Sequence, residues 1–280
     1  MKDYNYTNQV LLIALSSFLN DHPNLITTGE INKITKLGVD TKRAYTLLLK
    51  NFLDIDDEII LNEYFPLMIN ELDESLYINN PYYKNITFKN LKHLSWELKS
   101  SKYEAYETFV CDDFIYMEDG RVIPQIGYFK KPFKYLAVYE KKHLWMSITP
   151  NEIATMQEPI DKASGHVVTI GLGLGYYAYM VSLKENVKSV TIVEKDPSVI
   201  KLFKECILSQ FEYIDKITII NMDAFDFLNS DLSNYDFIFS DIWHDVSDGK
   251  DLYLKIKSFE DKHPHITFEY WIEKTIKYYL

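Results

Sequence analysis

Residues 167–197 read VVTIGLGLGYYAYMVSLKENVKSVTIVEKDP, and their reading decides the fold. An apolar run, VVTI, stops at a turn containing Gly171, Gly173 and Gly175. A helical stretch, YYAYMVSLKE, follows, and a second β-branched run, SVTIVE, ends at Glu194. Downstream the alternation continues: helix DPSVIKLFKECILSQF, strand KITIIN, helix DAFDFLNS and strand YDFIFSD, with HITFEYW (265–271) as the last strand. Strands that alternate with helices in this way are joined by crossovers and lie parallel. The expected fold is therefore α/β, with a Rossmann-like, doubly wound and mostly parallel sheet.

Working back from the glycine turn, TPNEIATMQEPIDKASG reads as a helix, with Thr149 as cap, Pro150 at the first helical position and Gly165 at the end. Before it, YETFVCDDFIYM, RVIPQIGYF, KYLAVYE and HLWMSIT are rich in aromatic and β-branched residues and are separated by turn-like EDG and KKPF, so they read as short β-hairpins. Residues 1–100 carry mainly helical spacing, broken at DHPN and NNPYY. The expected organisation is an N-terminal helical unit over 1–100, a strand-rich connector over 101–165, and a Rossmann-like domain over 166–280. Within the first part, ITTGEINKITKLGVDTKRAYTLLLKNF has a helix-turn-helix outline, with Thr27 or Thr28 as cap and Gly38 at the turn. Acidic residues outnumber basic ones across 1–100, so a packing or substrate-capping role is expected there rather than nucleic-acid binding.

A chain of 280 residues, 47% of them hydrophobic, can bury a large core. Its formal net charge of −11 disfavours broad attachment to nucleic acid or to an anionic membrane, both of which rely on cationic patches. Two distant cysteines, Cys111 and Cys206, give no disulfide framework or redox spacing and suit a reducing, cytoplasmic setting. The apolar stretch near the start is interrupted by Asn8, Gln9, Ser16 and Ser17, and reads as a core helix rather than a leader or a membrane span. His263 and His265 have no further ligands spaced nearby, so no metal site is expected.

In a parallel sheet of this kind the ligand lies beyond the carboxyl ends of the strands, where strand order reverses. Four such ends carry a consistent chemistry. Gly171, Gly173 and Gly175 let backbone approach a ligand closely. Glu194 offers two acceptor oxygens to a pair of ribose hydroxyls. Asp223 can accept from an exocyclic amine while Ala224 and Phe225 flank a ring. Asp241, followed by Trp243, His244 and Asp245, gives the cleft an acidic, aromatic mouth. Asp196 with Pro197 reads more simply as the cap of the next helix.

IGLGLGYY, VTIVEKDPSVI, INMDAFDFL and YDFIFSDIW resemble the class I S-adenosylmethionine-dependent methyltransferases, and look most like the branch shared with spermidine synthases. The resemblance implies that Gly171, Gly173 and Gly175 surround the amino-acid portion of S-adenosylmethionine, that Glu194 takes the ribose and Asp223 the adenine beside Ala224, and that Asp241 lies near the reacting end. Thr169 stands where these methyltransferases commonly carry an acidic residue, and Leu174 where spermidine synthases typically carry Asp.

The expected activity is methyl transfer to a small or medium-sized substrate. Asp241 and His244 are the candidate acid/base groups, and Trp243 is placed to face the sulfonium or flank the substrate. For His244 and Asp245 a capped, solvated turn is an equally simple role. Aminopropyl transfer, with Asp241, Asp245 and Asp248 holding an amine chain, and cofactor binding without turnover stay open as alternatives. A dinucleotide reading fits Gly173, Gly175 and Ala178, but the stretch after the fourth strand is short for a second nucleotide-binding half. A small-molecule substrate is the expected partner; whether the chain forms a homodimer is open.

Overall fold

The computed structural model describes residues 4–87, 91–93 and 96–280, with backbone only for 91–93. The chain begins with helices α1 (Asn5–Asp21), α2 (Thr28–Thr35) and α3 (Thr41–Leu53), then a π-helical turn (Ile60–Tyr64), α4 (Phe65–Met68), strand β1 (Ile69–Glu71), α5 (Glu74–Ile78) and α6 (Pro81–Asn85). Six strands follow: β2 (Leu91–His93), β3 (Trp96–Tyr103), β4 (Phe109–Tyr116), β5 (Val122–Tyr128), β6 (Phe133–Glu140) and β7 (His143–Ile148). The alternating part comprises α7 (Pro150–Lys162), β8 (Gly165–Ile170), α8 (Tyr176–Ser182), β9 (Val187–Glu194), α9 (Pro197–Cys206), β10 (Ile217–Asn221), α10 (Ala224–Leu228), β11 (Phe237–Ser240), α11 (Val246–Lys257), β12 (Thr267–Tyr270) and α12 (Glu273–Tyr278).

These elements form two compact units, one of Met1–Leu76 with Ser101–Tyr135, the other of Tyr77–Ser100 with Leu136–Leu280. In the first, a three-stranded sheet of order β1-β5-β4 accompanies helices α1 to α4. Thr27 and Asp40 cap α2 and α3, and Gly38 turns between them at φ +85°. Leu11, Leu15, Ile31, Leu49, Ile60 and Ile126 are among its buried core. Buried Asn8 costs little because both ends of its amide are used: Oδ1 accepts from the Tyr64 hydroxyl at 2.7 Å and Val122 N at 3.1 Å, and Nδ2 donates to Gly120 O at 3.1 Å. Tyr45 stacks on Tyr128 at 3.8 Å between centroids and its hydroxyl meets Thr108 Oγ1 at 2.6 Å.

The second unit holds a five-stranded sheet of order β10-β9-β8-β11-β12, every pair of neighbours parallel, which is the Rossmann-like arrangement. Its central strands are apolar on both faces: Val167, Val168, Ile170, Val190, Ile192, Phe237, Ile238 and Phe239 are all buried. The chain winds from β8 outward to β9 and β10, then returns to place β11 on the other flank of β8. The order therefore reverses between β8 and β11, and the crevice opens beyond Ile170 and Ser240. A second sheet of this unit has the order β2-β3-β6-β7.

Within residues 1–100, expected to be mainly helical, β1, β2 and β3 are strands. In β3, Trp96 and Leu98 are buried while Glu97 and Lys99, which alternate with them, are half-buried, a period of two that spans too few residues to stand out from its helical neighbours.

The β6–β7 hairpin turns on Lys141 and Lys142, both left-handed, at φ +48° and +75°. A two-residue hairpin loop needs that conformation at both positions, and Asn-Gly adopts it with the least strain. Lys141→Asn with Lys142→Gly is therefore expected to stabilise the protein by about 1–2 kcal/mol. Urea denaturation with an unchanged slope would show it, and an unchanged or lower midpoint would count against this turn geometry.

Candidate functional site

At the strand-order reversal lies a cleft of about 580 Å³, within the range of small-molecule sites. The glycine turn, β9's end, the start of α10, the stretch after β11, the start of α7 and residues 144–148 of β7 all line it.

The glycines of the turn do different work. Gly171 donates to Val193 O at 2.9 Å, and at φ +100° it presses on the next strand end: a Cβ there would lie 2.0 Å from the Asp241 carbonyl oxygen. Gly173, at φ +53°, faces open space, with only Met146 Sδ within 4 Å of where a Cβ would be. Gly171 thus closes the crevice floor, while Gly173 leaves its wall bare. Gly175 is the residue before α8 and abuts Phe203 of α9.

Glu194 is half-buried, and each carboxylate oxygen already receives one backbone N–H: Leu172 N on Oε2 at 3.2 Å and Asp196 N on Oε1 at 2.8 Å. A carboxylate oxygen accepts more than one bond, so these two donors aim the group and leave acceptor capacity toward the cleft. Asp223 caps α10 through Oδ1, which accepts from Phe225 N at 2.8 Å, and Oδ2 has no partner among the described residues. Ala224 and Phe225 line the cleft beside it. Asp196 caps α9, as its spacing with Pro197 predicts.

Beyond β11, Asp241 N donates to Ile170 O at 2.9 Å, which fixes its backbone over β8. Its side chain lines the cleft and has neither hydrogen-bond nor ion-pair partner among the described residues. Burial pushes its carboxyl up to about 7. Trp243 is 4% exposed, packs against Gly249 and lines the cleft, and its indole N–H finds no acceptor among the described residues. His244 is exposed and tied to Asp248, its backbone N–H to Oδ1 at 3.0 Å and its Nδ1 to Oδ2 at 3.1 Å, while Trp145 meets its ring edge-on at 4.7 Å. Asp245 caps α11 in a reciprocal capping box with Asp248. His244 therefore belongs to the turn that starts α11 and lies at the cleft's rim, whereas Asp241 and Trp243 are more deeply set.

The site also contains a group that sequence reasoning did not single out. Glu152, in the first turn of α7, lines the same cleft as Asp241. Thr149-Pro150-Asn151-Glu152 has the T-x-x-E spacing of a capping box, a local role that hides any other. In the structure Thr149 makes no side-chain cap bond, and Glu152 has no hydrogen-bond or ion-pair partner among the described residues. Burial first, and the charge of Asp241 second, hold its carboxyl well above the ordinary range. Both folded-state values lie above those of an unfolded chain. Folding therefore favours the protonated pair, and the stability this confers is present in acid and lost as pH rises through about 7.

His263 and His265 lie 6.2 Å apart between ring centroids, and among the described residues no three His, Cys, Asp or Glu side chains converge as a metal site would require. No helix among the described residues is long and apolar enough to cross a membrane.

A five-stranded parallel sheet with its cleft at the order reversal defines a Rossmann-like α/β protein. Residues 147–262 match the family model described as the spermine/spermidine synthase domain. That stretch is thus similar to the spermidine synthase family. No curated protein sequence matches it significantly. Similar solved structures include the 23S rRNA methyltransferase ErmE, at 19% identity over 39% of this chain and 43% of that one, with a TM-score of 0.28. A protein titled as an O-methyltransferase from Klebsiella pneumoniae has 21% identity over 32% and 40%, with a TM-score of 0.25. A protein titled as a transferase from Pyrococcus horikoshii has 21% over 37% and 38%, with a TM-score of 0.28. The match spans about two fifths of each of these chains.

Proposed function

We propose that the second unit binds S-adenosylmethionine and transfers its methyl group to a small or medium-sized acceptor. The observation that carries this reading is the convergence of four strand ends on one cleft: the Gly171–Gly173 turn, Glu194, Asp223 with Ala224, and Asp241. Glu194, already oriented by two backbone N–H groups, accepts from the ribose hydroxyls. The free oxygen of Asp223 accepts from the adenine amine, with Ala224 and Phe225 against the ring. The bare backbone at Gly173 admits the amino-acid end. When bound, the sulfonium supplies an electrophile that needs no further activation. The chain's own residues align the acceptor, exclude water and take up a proton where the acceptor must lose one. Asp241 is the proton acceptor at the reacting end, and Trp243 lines the cleft with it.

Aminopropyl transfer is a second reading, favoured by the family-model match and by charge. Glu152, Glu194, Asp196, Asp223, Asp241 and Asp248 line the cleft against Lys195 and His244, which suits a more cationic donor. Calorimetric titration with S-adenosylmethionine, its decarboxylated form and NAD separates these readings. The expected result is selective binding of S-adenosylmethionine at micromolar Kd, about −8 kcal/mol. Preference for the decarboxylated form would move the assignment to aminopropyl transfer. Binding of NAD alone would overturn both.

A further inference from the structure

Two carboxylates from distant parts of the sequence enter the inner cleft without partners. Glu152 arrives from the first turn of α7 and Asp241 from the end of β11. Neither has a hydrogen-bond or ion-pair partner among the described residues, and Met156, Tyr177, Trp243 and Trp271 line the same cleft with them. The other charged or titratable groups of the lining besides that tyrosine are Tyr176, Glu194, Lys195, Asp196, Asp223, His244 and Asp248. Glu194, Asp196, His244 and Asp248 are engaged with backbone groups or with one another, and Asp241 is the charge that acts on Glu152. Two carboxylates that line one cleft and act on each other across apolar side chains cannot both ionise freely, and such a pair takes and releases protons as one unit.

We propose that Glu152 and Asp241 form a coupled acid–base pair, Glu152 retaining its proton while Asp241 accepts the proton that the acceptor gives up during transfer. The step rests on the transfer reading above. The acceptor's lone pair forms the bond to the transferred carbon, the electron pair of the broken carbon–sulfur bond stays with sulfur, and the acceptor's proton moves to the Asp241 carboxylate and then to solvent. Glu152 acts through Asp241 and is a positioning residue: kept neutral, it lets Asp241 be the anion of the pair. Asp241, whose carboxyl burial raises to about 7, is then a base matched to neutral conditions.

The test is a carboxyl titration of the full-length protein without added ligand, by carbon-13 NMR or by the infrared band of the protonated carboxyl, in wild type, Asp241→Asn and Glu152→Gln. In Asp241→Asn the Glu152 midpoint is expected to fall by about one pH unit or more, a tenfold change in acidity. In Glu152→Gln the Asp241 midpoint is expected to stay near 7, because glutamine mimics the protonated partner. A Glu152 midpoint unmoved by Asp241→Asn, or an Asp241 midpoint in the ordinary aspartate range in Glu152→Gln, would overturn the coupled pair. Neither arm depends on the donor. Coupled titration in a protein that binds no S-adenosylmethionine compound would sink the transfer reading and leave the pair, and uncoupled titration in one that binds it would do the reverse.

Discussion

Gly171→Ala is expected to cost roughly 4 kcal/mol or more of stability and to abolish ligand binding along with it. Two effects add. At φ +100° an L-residue is strained whatever space surrounds it, and the new methyl would lie 2.0 Å from the Asp241 carbonyl oxygen. That oxygen is backbone, anchored through the neighbouring Asp241 N–H to Ile170 O, so it cannot rotate away as a side chain would. Relief requires β8 and β11 to part at their carboxyl ends, where the cleft is formed. Gly173→Ala is the control. Its φ of +53° lies in the left-handed region that costs an L-residue about 1–2 kcal/mol, and its methyl meets only Met146 Sδ, at 3.8 Å. It should fold with a modest loss and register mainly as weaker binding. Thermal melts of the two variants check the contrast; equal losses would mean that the turn is not wedged against Asp241.

The second large effect is expected at Glu194. Glu194→Ala should weaken S-adenosylmethionine binding by about 100-fold, since two hydrogen bonds to a charged acceptor contribute about 1.5–3 kcal/mol each and part of that is recovered by water. The same change frees Leu172 N and Asp196 N, so some loosening of the glycine turn accompanies it. Glu194→Gln separates the two contributions: its single carbonyl oxygen can satisfy one backbone donor but offers the ribose no charged acceptor. Calorimetry on both variants, with melting temperatures beside it, decides the matter. An unchanged Kd in Glu194→Ala would remove Glu194 from the binding site.

Much of the site was legible because its residues follow strands. Each strand announces itself by a short run of β-branched or aromatic residues, and in a parallel sheet the next one or two positions lie at the ligand end. This holds for Gly171 after VVTI, Glu194 after SVTIV, Asp223 after KITIIN and Asp241 after DFIFS. All four line one cleft. Capping was equally local: Asp196 before Pro197, Asp40 before α3 and Asp245 before α11 do what their side chains do in any chain, accepting from a backbone N–H two or three residues on. His244 shows where local reading leaves two roles open, since the acid/base candidate and the turn residue have the same sequence, and only its bonds to Asp248 put it in the turn at the rim.

By itself, then, the sequence determined the parallel α/β sheet, the place of its glycine turn and the acidic strand ends, because each follows from periodicity and backbone conformation within a few residues. Tertiary structure alone decided what required distant segments to meet. It brought residues 77–100 into one unit with 136–280, and 101–135 into the other with 1–76, since which apolar face covers which is settled by packing and leaves no local mark. It also turned Glu152 away from a capping role and into the cleft that Asp241 lines, 89 positions further along the chain. The chemistry of that pair exists only in the folded chain: each carboxylate is ordinary in its own stretch of sequence, burial raises the proton affinity of both, and the charge of Asp241 adds to it at Glu152.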